Sequence, residues 1–181
     1  MRQFAQQLVN GTVLGATYGL IALGYTMVYG IIQLINFAHG EIFMIGGFAA
    51  LTVYLYWLPD SLQSNVWVAL PLMLLFAVIV AVATAVLMER LAYRPLRNAP
   101  RLAPLITAIG VSIFLQEAIR LYYPGAKNPL PFPRLVSNGG FTVGGVFVTW
   151  VSVFVVVVAV TLMVALQLFI RRTRTGKAMR A

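Results

Sequence analysis

Asn36-Phe37-Ala38-His39-Gly40-Glu41 is a polar hexapeptide set between two stretches, residues 8–31 and 42–58, that contain no Asp, Glu, Lys or Arg. It holds the only histidine of the chain and one of its four acids. An apolar helix needs about 20 residues to cross a bilayer, with a working range of roughly 17–25. Both flanks meet that length, the second at its short limit, so the hexapeptide interrupts two membrane spans. Ionisable groups are costly beside hydrocarbon, which makes their presence there a functional signal.

Working outward, three more segments are long and apolar enough to span: 66–88, 102–123 and 146–170. The fourth span contains Glu117 and Arg120 near its end, three apart on one helical face and therefore able to pair. The expected fold is an all-α polytopic membrane bundle of five transmembrane helices, with residues 1–181 as a single transmembrane domain. Composition agrees: of 181 residues, 61% are hydrophobic and only 9% charged, against about a quarter charged in soluble domains. There is no cysteine, which excludes disulfides and thiolate metal sites. The apolar stretch through Ile31 is too long for a cleavable signal core and ends in bulky residues, so it is expected to be retained.

The net charge of +9 does not point to nucleic acid, because the cations cluster at the ends of spans. Arg90, Arg94, Arg97 and Arg101 follow the third span; Arg171, Arg172, Arg174, Lys177 and Arg180 follow the fifth. The positive-inside rule places both groups in the cytoplasm, and two intervening spans agree. Residues 59–65 and 124–145 then face outward, the hexapeptide inward, and the N-terminus outward. The segment 124–145 carries Pro124, Pro129, Pro131 and Pro133 with later Gly pairs, which predicts an ordered loop or short hairpin rather than a span.

Gly11, Gly15 and Gly19 recur at spacing four in the first span, and Ala77, Ala81 and Ala85 do the same in the third. Rows of small residues let helix backbones approach closely, which is how helices associate in lipid. The hexapeptide itself admits three readings. As an enzyme site it lacks support, since no second histidine and no Gly-x-Ser-x-Gly or Ser-x-x-Lys nucleophile pattern accompanies it. As a plain inter-helix turn, Asn36 would cap a helix. In the reading that best uses its place, the break is itself the device. Unwound backbone at membrane depth survives only when buried or lining a cavity, and there it offers carbonyls and N–H groups to a polar solute. Asn36, Phe37, His39, Gly40 and Glu41 would then line the path, and Gly46 and Gly47, one turn on, would keep it open. A channel or ATP-independent transporter shares this pattern.

Four stretches, in order along the chain, carry a resemblance: Gly30–Glu41, Glu89–Arg97, Leu105–Ser112 and Arg172–Arg180. Together the chain resembles the inner-membrane permease subunits of branched-chain amino acid ABC importers. The resemblance implies a second permease subunit, two cytoplasmic ATPases that hydrolyse the ATP, and a periplasmic amino-acid-binding protein as partners, in a multi-pass protein of the bacterial inner membrane. It implies no cofactor in this chain, which has no Gly-x-x-x-x-Gly-Lys-Ser/Thr loop. Relatives carrying urea or short amides leave the substrate open. The basic residues Arg171, Arg172, Arg174, Lys177 and Arg180 would face the ATPases. Family members are longer, so the chain is expected to correspond to the N-terminal part of such a permease.

Overall fold

The computed structural model describes residues 2–32, 36–96, 98–100, 102–128, 130–133, 135 and 139–173. Arg97, Arg101, Pro129, Arg134, Arg174, Lys177 and Arg180 lie outside them. The long helices are α1 (Arg2–Ile32), α2 (His39–Thr52), α4 (Val66–Met88), α5 (Leu102–Tyr122) and α6 (Trp150–Arg172), with a short α3 (Asp60–Gln63) between α2 and α4. The five long helices, α2 extended to Trp57 and α4 to Leu96 by further turns, are apolar and long enough to cross a membrane. All-α architecture therefore holds, with one small exception. Strands β1 (Gly140–Val143) and β2 (Val146–Thr149) form an antiparallel hairpin.

Boundaries differ from the sequence expectation at four places, the first being α1, which starts at Arg2 rather than 8. The second span starts at His39 rather than 42, because Asn36 turns the chain and lets His39, Gly40 and Glu41 form the first helical turn. The third does not stop at 88. A π-helical turn, Glu89–Tyr93, and a 3₁₀ turn, Arg94–Leu96, carry it on through the charged residues. The fifth starts at Trp150, because Val146–Thr149 are spent on β2.

The chain forms two compact units. In the first, α1 packs on α6 and the hairpin lies against α1. The hairpin turns through Gly144 and Gly145, both at positive φ (59° and 84°), the conformation a two-residue type I′ turn demands. The exposed edge of β2 is satisfied from outside the sheet. The Gln6 amide donates to the Phe147 carbonyl and accepts from its N–H, both at 2.9 Å. Thr149 then caps α6, its hydroxyl accepting from Ser152 N–H at 3.1 Å.

In the second unit, α2 packs on α4 and α5. Its core is Ala50, Val53, Leu58, Ala69 and Met73, with Tyr54 and Phe76 against it. Small residues set the α2–α4 distance: a Cβ on Gly46 would lie 3.6 Å from both the Ala77 carbonyl and the Ala81 methyl. Asn65 caps α4 by accepting from Trp67 N–H at 3.2 Å. Large apolar side chains stay exposed on every long helix, among them Leu14, Phe43, Val78, Phe114 and Phe154. Such continuous apolar exposure would aggregate in water and suits a helix bundle whose solvent is lipid.

Candidate functional site

Asn36 is the hinge of the site. Its backbone carbonyl accepts from His39 N–H at 3.1 Å, starting α2. Its side-chain Oδ1 accepts from Ala38 N–H at 3.0 Å, an Asx turn, and from the Tyr93 hydroxyl at 2.6 Å. The side chain is buried, and Ala38 beside it is wholly so. A buried amide oxygen with two donors is satisfied, and the break is consequently fixed in shape. Tyr93 reaches it from the last residue of the π-helical turn Glu89–Tyr93.

Phe37 is exposed, while His39 and Gly40 are half-buried in the first turn of α2. Glu41, also half-buried, sits in that turn, where a carboxylate complements the partial positive charge of the helix N-terminus. Its Oε1 accepts from the Ser112 hydroxyl at 2.5 Å and from the Gln116 amide at 3.4 Å. Ser112 and Gln116 are one turn apart on α5. Higher on the same helices, Thr52 donates to the Tyr123 hydroxyl at 3.3 Å, and the Phe48 and Tyr123 rings lie 4.6 Å apart. The pairs Glu41–Ser112 and Thr52–Tyr123 are both 71 residues apart. An equal offset at both ends means that α2 and α5 run parallel and in step, with a row of polar groups between them.

The sequence-derived residues thus fall into separate places. Asn36 and Glu41 each have polar partners from another helix. Gly46 is buried at the α2–α4 crossing, whereas a Cβ on Gly47 would meet nothing within 4 Å. In the first unit, Gly11 and Gly15 likewise face open space, and Gly19 faces the Met163 methyl of α6 at 3.9 Å. Arg171 and Arg172 end α6 and are exposed. Glu117 and Arg120 pair at 3.2 Å, as their spacing predicts. Sequence reasoning missed Tyr93, Ser112 and Gln116 as site residues. The spacing of the last two, i and i+4 within an apolar span, puts them on one helical face, but their partner Glu41 lies on another helix.

A family model described as "Branched-chain amino acid transport system / permease component" matches residues 7–181. The high-affinity branched-chain amino acid transport system permease protein BraD of Pseudomonas aeruginosa is 45% identical over 98% of this chain and 58% of its own length. The LivH permease proteins of the corresponding systems in Salmonella typhimurium and Escherichia coli K12 are 42% and 41% identical, again over 98% of this chain and 58% of theirs. The chain therefore spans about 58% of the length of these relatives. No solved structure matches it.

Proposed function

Because the chain belongs to the family of permease components of branched-chain amino acid transport systems, we propose that it supplies a membrane subunit of an ATP-driven importer of leucine, isoleucine and valine in the bacterial inner membrane. The match over residues 7–181 carries this reading. The working assembly pairs it with a second permease, two cytoplasmic ATPases and a periplasmic binding protein, and the residues of this chain hydrolyse nothing.

The substrate path runs past the break. Asn36, Phe37, His39, Gly40 and Glu41 line or gate its cytoplasmic end, and the polar row on α5 leads toward them. A polar row supports this reading because hydrogen-bonding groups within a span are retained where a polar solute must pass. The Tyr93–Asn36 bond gives the break a mechanical connection. Tyr93 stands between Arg90 and Arg94, in the basic stretch expected to face the ATPases. Displacement of that stretch on ATP binding would pull directly on the residue that shapes the turn. Arg171, Arg172, Arg174, Lys177 and Arg180 form the second ATPase-facing group. Of the glycine row, Gly11 and Gly15 face open space and offer a packing face to the other permease, while Gly19 packs toward α6 of this chain.

The experiment is leucine uptake into proteoliposomes holding the complete complex. Uptake should require ATP inside, both ATPases and the binding protein. Uptake that continues without the ATPases overturns the reading in favour of an ATP-independent carrier or channel.

A further inference from the structure

The second unit contains a cleft of about 280 Å³ between α2 and α5. One wall is apolar, built by Met44 and Phe48 of α2 with Ile119 of α5. The other is polar, built by Gln116, Glu117 and Arg120. We propose that this cleft is a receiving site for a free aliphatic amino acid, with the carboxylate on Arg120, the ammonium on Glu117 and the side chain against Met44 and Phe48. The proposal deepens the transport reading above and rests on it.

Three features support the assignment. The cleft joins one cation, one anion and an apolar wall, the three elements that a zwitterion with a hydrocarbon side chain needs. The two charges already hold each other at 3.2 Å, but as an exposed pair of neighbours on one helix. Both side chains are open to an incoming ligand, Arg120 at 65% and Glu117 at 48% exposure, and neither has to be uncovered to meet one. An arginine guanidinium also matches a carboxylate with two parallel donors. The apolar wall, by contrast, is held firmly: Phe48 rests on Tyr123, whose hydroxyl accepts from Thr52.

Position agrees with delivery from outside. The cleft lies toward the C-terminal end of α5, beside the middle of the parallel helix α2 and beyond the Glu41–Ser112 contact. Loop charges put that end on the outer side. At its floor, Gln116 lines the cleft and also donates to Glu41, so the site opens onto the next carboxylate along the polar row.

The test uses the purified four-subunit membrane complex in nanodiscs, without the binding protein, and tritiated leucine as probe. Saturable binding is expected, displaced by isoleucine. Isoamylamine, which lacks the carboxylate, and isocaproate, which lacks the ammonium, should not displace it. Arg120→Gln and Glu117→Gln should each weaken binding about tenfold or more, equivalent to about 1.4 kcal/mol, and Arg120→Lys should restore part of the loss. Met44→Trp, which fills the apolar wall, should abolish binding in complexes that still co-purify. If one charge variant fails to assemble, the other and Met44→Trp decide. Absence of saturable binding to the wild type, unchanged binding in the variants, or displacement by isocaproate as good as by isoleucine overturns the proposal. ATP-driven uptake by the same complex with its binding protein separates the two levels. Normal uptake with any of those results removes the cleft alone, whereas absent uptake removes the transport reading.

Discussion

The Tyr93 hydroxyl donates to Asn36 Oδ1 at 2.6 Å, joining the π-helical turn after α4 to the turn that starts α2. Fifty-seven residues separate the two in sequence. Asn36 Oδ1 keeps a second donor, Ala38 N–H, when the Tyr93 hydroxyl is removed. Tyr93→Phe should therefore cost about 1 kcal/mol, the usual net worth of one hydrogen bond. ATP hydrolysis should continue with less leucine moved per ATP. Uptake and hydrolysis measured together check this, and an unchanged ratio rules out a coupling role.

Asn36→Ala is the harsher change at the same contact. It strands two donors, the Ala38 N–H and the Tyr93 hydroxyl, in a buried place. The expected loss is about 1–3 kcal/mol for each group left unsatisfied. A lowered melting temperature of the complex together with reduced uptake is the expected result. Wild-type behaviour in both would return the hexapeptide to a plain inter-helix turn.

Glu41 can be divided into its charge and its acceptor. Glu41→Gln keeps an oxygen for Ser112, and Glu41→Leu removes it. If the carboxylate only holds α5 in place, Gln should sustain near-normal uptake. If it handles the ammonium of the passing solute, both variants should transport poorly, and that is the expected outcome. The level of assembled complex for each variant shows whether the helix contact survived.

Gly46 and Gly15 test two kinds of helix contact. At Gly46 a methyl fits at ordinary contact distance, 3.6 Å, so Gly46→Ala should be neutral or slightly stabilising. Gly46→Leu must push α4 away and should cost about 1–3 kcal/mol. Gly15 faces open space in this chain. Gly15→Leu should leave the chain inserted yet lower the yield of assembled complex. Unchanged assembly would show that this glycine row is not an interface.

Gln6 replaces a third strand for Phe147. Gln6→Leu leaves that residue's N–H and carbonyl without their side-chain partner, and should expose the hairpin 139–149 to proteolysis in vesicles opened on that side. Equal protection of mutant and wild type would show that the edge does not depend on Gln6.

The spans were legible because hydropathy over about 20 residues depends little on tertiary context. So was the Glu117–Arg120 pair, which needs only helical spacing. Boundaries failed where another device competed with hydropathy. Val146-Phe147-Val148 is apolar enough to count as membrane, yet the positive-φ glycines before it fold it back onto β1. Glu89 and Arg90 look like a stop, but helical winding continues through them because charged side chains at a span's end can reach the interface. The polar row could not be read at all from one end. Glu41 and Ser112 lie in different motifs, and only the topology of three helices sets them side by side.

The spacing of its partners on α5 gives Glu41 an option that a single partner would not. Its two partners, Ser112 and Gln116, are separated by one helical turn, about 5.4 Å along the axis. Should α5 slide past α2 by that step, Gln116 would take the place that Ser112 now holds, and the carboxylate would keep a donor at both stations. The pair of helices thus resembles a detent, with two rest positions and an exposed charge only between them.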